Sequence, residues 1–138
     1  MFFEKIRSFF SSRTIAFSAL IFWMAVIFSF SMLPGEMTSS PPPLWYFVER
    51  KGAHVVEYAL LMFLSFNYFR ITFWRESSFR LALLAAVFAL AYAVTDELHQ
   101  FFVPLRGARM SDVLIDAGGI LIAGLTLFFF EKMKNHPR

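Results

Sequence analysis

Three stretches of this chain restrict its fold more than anything else in it. Thr14 to Leu33 runs for about 20 residues with no ionisable side chain, enough at ~1.5 Å per residue to cross a hydrocarbon layer ~30 Å thick. Leu81 to Val103 and Asp112 to Phe130 are of similar length, and their acidic residues crowd at one end. Inside a bilayer the backbone must satisfy its own hydrogen bonds, so segments of this kind become helices. The remainder fits the same class. The chain is 58% hydrophobic, holds 20 Phe in 138 residues and has a mean hydropathy of +0.58, more apolar than a soluble domain of this length. The expected class is all-α, an integral membrane bundle in one domain, 1–138.

Taken in order, the chain predicts four transmembrane helices, about 14–33, 52–69, 81–103 and 112–130. Residues 1–13 carry Lys5, Arg7 and Arg13 among four Phe and read as a short interfacial amphipathic piece. The apolar run behind them is too long for a signal-peptide core, so it reads as an uncleaved first helix. Pro34-Gly35 is expected to end that helix, with Gly35 as its cap. Residues 36–43 read as a polar, Pro-rich loop, and Trp45, Tyr46 and Phe47 as an interfacial anchor. The second span is the least apolar, because Lys51, His54 and Glu57 occupy its first two turns. A third span is read through to Pro104, with Gly107 marking the following turn and Ser111-Asp112 starting the fourth helix.

The charges set an orientation. With the N-terminus cytoplasmic, nine basic residues fall inside and only Arg50, Lys51, Arg106 and Arg109 outside, so both termini are expected in the cytoplasm. This distribution also explains the net charge of +3 without nucleic acid as a partner. No cysteine is present, so disulfides and thiolate metal sites are excluded. The same topology brings the polar ends of spans two, three and four to one membrane face.

Tyr92 to Gly119 holds seven ionisable residues: Asp96, Glu97, His99, Arg106, Arg109, Asp112 and Asp116. Polar groups at a membrane boundary are costly unless they pair, meet water or bind something. By helical spacing Tyr92, Asp96, His99 and Gln100 share a face, with Glu97 turned about 100° away. Asp112 and Asp116 lie one turn apart, and His54, Glu57 and Tyr58 form a polar stripe on the second span. Four readings stand side by side. His54, Glu57, Asp96, His99, Asp112 and Asp116 are imidazole and carboxylate ligands suited to a divalent metal. Asp96, Glu97, His99 and Asp112 are the types used in acid–base catalysis on a lipid-linked substrate. Arg106 and Arg109 suit a ligand's phosphate or carboxylate, while Lys51 reads with Trp45 and Tyr46 as an interfacial anchor. A network of ion pairs that only fixes helix register is the fourth. No cofactor is required by the residues themselves.

The motifs F-S-x-S-x-L-P-G (Phe28 to Gly35), K-x-x-H-x-x-x-Y-x-x-L (Lys51 to Leu61), D-E-x-H-Q-x-F-x-P-x-R (Asp96 to Arg106) and D-V-x-x-D-x-x-G (Asp112 to Gly119), in this order, resemble the VanZ-like family. The resemblance covers most of the chain. It implies a small multi-pass protein of the bacterial cell (inner) membrane. The family's founding member is associated with low-level resistance to teicoplanin, a lipoglycopeptide that binds cell-wall precursors. The partners implied are therefore membrane lipids and a lipoglycopeptide or lipid-linked wall precursor, met at an outward-facing polar pocket. Lys51, His54, Tyr58, Asp96, Glu97, Gln100, Arg106, Asp112 and Asp116 match the motifs; Glu57 and Arg109 lie beside them. Two positions depart from the family's pattern. Its usual P-G-R is Pro104-Leu105-Arg106 here, and Asp116 stands where Asn is common.

Overall fold

The computed structural model describes residues 12–35, 43–107 and 109–134; the expected amphipathic start, most of the Pro-rich loop and the last four residues lie outside them. Four helices follow one another, α1 (Arg13–Ser31), α2 (Leu44–Thr72), α3 (Ser78–Gln100) and α4 (Met110–Lys134), and no strand occurs among the described residues. They run up and down. Phe17 near the start of α1 stacks on Tyr68 near the end of α2, and Ser78 at the start of α3 bonds to Glu131 at the end of α4. One end of the bundle therefore gathers Ser31, Lys51 to Tyr58, Asp96 to Gln100 and the α3–α4 turn.

Three helices, α1, α3 and α4, are long and apolar enough to cross a membrane. Four such spans were expected, and α2 is the exception. Its 29 residues exceed the span read from the sequence, but Lys51, His54 and Glu57 dilute its hydropathy. Packing explains how it is accommodated. α2 touches each of the other three helices, and Tyr58, Leu61, Met62, Ser65 and Phe66 along it are buried. Its polar groups meet protein where those of an outer helix would meet lipid. The outer helices show the inverse pattern, with Phe22, Leu83, Val87, Leu121 and Phe129 all exposed, as expected where the surroundings are hydrocarbon.

Small residues set the spacing. On α3 Leu81, Ala85, Ala89 and Ala93 form a buried row four residues apart, a stripe that lets helices approach closely without a hydrophobic driving force between them. On α4 Gly119 does the same against α2, since a Cβ there would collide with the Val55 backbone carbonyl.

Several boundaries differ from the sequence reading. α2 begins at Leu44, so Trp45 belongs to its first turn; Pro43, just ahead of it, needs no N–H there. α1 ends at Ser31 with Met32 as its cap, three residues before Pro34. Gly35 has no positive φ and is not the helix cap. Its N–H donates to Pro104 O (3.1 Å), and a side chain there would overlap Leu105 O. Glycine is needed for that approach. α3 stops at Gln100, and the turn that follows places Leu105 at φ 60°. This is the left-handed region that glycine enters freely and leucine does not.

Candidate functional site

Two pairs tie α2 to α4. Lys51 Nζ donates to Asp112 Oδ1 (2.6 Å), and one turn deeper His54 Nδ1 donates to Asp116 Oδ1 (3.0 Å). The pairs follow from register: 51 and 54 are three residues apart, 112 and 116 four, and the close Val55–Gly119 approach holds the helices together just below. Lys51 and Asp112 sit at the rim, where Ser111 Oγ also reaches Asp112 (3.1 Å). Asp116 is 1% exposed, and the hydrogen-bond partner of its carboxylate is the imidazole of His54.

A second connection joins α2 to α3. Tyr58 Oη donates to Asp96 Oδ2 (3.2 Å), and Gln100, one turn along α3, adds Nε2 to the same oxygen (3.1 Å). Tyr58 is 0% exposed and Asp96 6%. Glu97 points round toward α4, as its 100° offset requires, and its Oε1 accepts from the backbone N–H of Arg109 (2.5 Å). Each acid thus has one satisfied oxygen. The other oxygens, Asp96 Oδ1 and Glu97 Oε2, are buried without a hydrogen-bond partner among the described residues. A buried, unmatched acceptor on a carboxyl group costs about 1–3 kcal/mol or more, and native proteins keep few.

The remaining expected site residues go elsewhere. Tyr92 and His99 share the predicted α3 face with Asp96, but they meet α1. Tyr92 Oη donates to Met24 O (2.7 Å), while His99 shares a 3.2 Å hydrogen bond with Ser31 Oγ and stacks on Phe28 at 4.5 Å. His99 therefore stands apart from the carboxylates with which the acid–base and metal readings grouped it. Among the described residues no three His, Asp or Glu side chains come together as a metal-ligating group, so the six proposed ligands do not form one centre. Arg106 closes the end of α1: Nη1 donates to Ser31 O (2.8 Å) and to Phe30 O (3.0 Å), which also accepts from the Leu33 N–H (3.2 Å), at the end where a helix has carbonyls to satisfy. Arg109 joins through its backbone, and the residue is exposed. Glu57 offers its carbonyl oxygen to Trp23 Nε1 (2.9 Å).

The contribution of α1 is what the sequence reading missed. Trp23, Met24, Phe28, Ser31 and the α1 carbonyls all hold site elements in place, yet α1 has no ionisable residue beyond Arg13. The one available signal was the serine pair in F-S-x-S, polar groups inside an apolar run.

The sequence model of the VanZ/LLP1 family matches residues 10–131, which takes in all four helices up to Glu131. No curated protein matches the chain, and no solved structure does.

Proposed function

The chain belongs to the VanZ/LLP1 family and has the apolar helices of a multi-pass membrane protein; on that premise we propose that its polar end binds the head of an amphiphilic cell-envelope molecule. The observation that carries this reading is the pair of buried, unpartnered carboxylate oxygens, Asp96 Oδ1 and Glu97 Oε2. A site built only to hold helices together gains from satisfying every acceptor, because a half-satisfied network is worse than an apolar contact. Acceptors kept open suit a head that supplies donors, an ammonium or hydroxyl group, while its tail stays in the surrounding hydrocarbon. Lys51, Asp112 and Arg109 rim the entry.

In this reading the bundle lies in a bacterial cell membrane with both termini cytoplasmic and the polar end outward. α2 spans with the others as the enclosed helix. A lipoglycopeptide such as teicoplanin, which carries both an acyl chain and donor groups, meets this description, as does a lipid-linked wall precursor. The ligand is held off its target at the membrane surface, and low-level resistance results. The binding reading needs only the two acids and the paired frame around them. The alternative, a hydrolase or transferase on a lipid-linked substrate, would use Asp96, Glu97 or Asp112 as its acid and base, since His99 is turned toward α1.

The test is teicoplanin and vancomycin susceptibility of a sensitive host expressing the chain, with membrane abundance matched. Wild type should protect against teicoplanin and not against vancomycin, which has no acyl chain. Asp96→Asn and Glu97→Gln should lose that protection. Equal protection by wild type and both variants would remove the acids from the function, and no protection by the wild type would remove the lipoglycopeptide.

A further inference from the structure

A second feature lies along the flank of the bundle and opens at the end opposite the polar site. Between α3 and α4 runs an open apolar groove of about 850 Å³, floored by Met62 and Phe66 of α2. Ala82 and Ala86 on one wall and Ala117 and Gly124 on the other leave the space. Its outer rim is Ser78, Glu131 and Lys132. From Lys132 to Ala117 the groove follows about four turns of α4, roughly 22 Å.

The groove is open along its side and its lining is almost wholly apolar, so an extended hydrocarbon chain can lie along it. The length matches one leaflet of a bilayer, about half of the ~30 Å core plus its interface, and the charged rim sits where a headgroup would be.

Charge decides which lipid. Tails in the bilayer are already as apolar as the groove, so the tail alone gives little preference; the head must supply it. At the rim Glu131 is engaged by Ser78 Oγ (3.3 Å) and lies 3.9 Å from Arg70. Lys132 is exposed and has no ion-pair partner among the described residues. Arg75 and Arg80 lie in the adjoining α2–α3 turn and first turn of α3, with Phe73, Trp74 and Phe79 exposed beside them. Basic and aromatic residues together mark the headgroup level of a membrane. We propose that the α3–α4 groove is a binding site for one anionic glycerophospholipid, its acyl chain along Ala82, Ala86 and Gly124 and its phosphate at Lys132. The site is separate from the polar end and does not depend on the function assigned there.

The experiment is native mass spectrometry of the purified full chain, titrated with equimolar phosphatidylglycerol and phosphatidylethanolamine of the same acyl composition. The expected result is one retained lipid per chain, with phosphatidylglycerol favoured about fivefold, the effect of one lysine near a headgroup layer. Lys132→Gln, at an exposed position, should bring the two lipids to near parity. Ala86→Phe, which fills the groove, should lose retention of both; its melting temperature checks that it folds. Three results would overturn the proposal: no stoichiometric adduct with wild type, an unchanged preference in Lys132→Gln, or a folded Ala86→Phe that retains lipid as well as wild type. A chain dimer abolished by Ala86→Phe would also overturn it, by assigning the groove to a second copy.

Discussion

Gly119→Ala should cost this protein far more than a single methyl group normally does. An added Cβ would overlap the Val55 carbonyl oxygen and lie 3.1 Å from both Val55 C and Cα, where ordinary carbon–oxygen contact begins at about 3.3 Å and carbon–carbon contact at about 3.5 Å. The obstacle is backbone, so no rotamer relieves it, and α2 and α4 must move apart by roughly 1 Å. The His54–Asp116 bond, 3.0 Å long, sits one turn away between the same helices and would stretch beyond hydrogen-bonding range. Overpacking of this kind costs about 1–3 kcal/mol, and loss of a hydrogen bond to a charged group about 1.5–3 kcal/mol. The total is about 3–5 kcal/mol, or a fall in melting temperature on the order of 10 °C for a chain this long. The assay is thermal unfolding in detergent. Gly118→Ala supplies the control: nothing lies within 4 Å of its added Cβ, and alanine is the better helix former by about 0.8–1 kcal/mol, so this variant should melt at or above the wild-type temperature. An unchanged melting point for Gly119→Ala, or equal damage from Gly118→Ala, would refute the close α2–α4 approach as the frame of the polar site.

Leu105→Gly should stabilise the turn after α3. The left-handed backbone costs leucine about 1–2 kcal/mol, little packing is lost at 61% exposure, and glycine's greater chain entropy takes back about 0.5–1 kcal/mol, so a rise of a few degrees in melting temperature is expected. Tyr58→Phe leaves Asp96 Oδ2 with Gln100 alone and should destabilise by about 1–3 kcal/mol in the same assay. Arg106→Ala removes the side-chain bonds to the Ser31 and Phe30 carbonyls, of which Phe30 O keeps the Leu33 N–H, and should cost on the order of 1–3 kcal/mol; faster amide hydrogen exchange in the last turn of α1 would locate the loss.

Hydropathy together with the placement of charges was enough to read four helices and the shared end of Lys51, His54, Asp112 and Asp116, because bilayer thickness converts sequence length directly into position across the membrane. Helical periodicity went one step less far. It placed Tyr92, Asp96, His99 and Gln100 on one face, but a face between two neighbours can divide, and here Tyr92 and His99 serve α1 while Asp96, held by Gln100 on its own helix, serves α2. No local signal in α3 says which neighbour each side chain meets. Arg106 was legible as a cation near acids; its use as the cap of a helix some 75 residues earlier is a tertiary fact. The length of α2 was obscured by polarity, since Arg50, Lys51, His54 and Glu57 look like a boundary until the surrounding helices are in place.

The reading of the polar end rests on two carboxylates kept buried with one oxygen unmatched each. Its most direct test is the melting temperature of the Asp96→Asn, Glu97→Gln double variant, measured beside wild type in the same detergent. Each amide retains the oxygen that accepts the existing bonds, from Tyr58 and Gln100 in one case and from the Arg109 N–H in the other, and each removes a poorly compensated charge. A melting temperature equal to or above that of the wild type is the predicted result, marking the acids as groups held at a cost to the fold. A fall as large as that of Gly119→Ala would contradict it and make the two acids part of the frame.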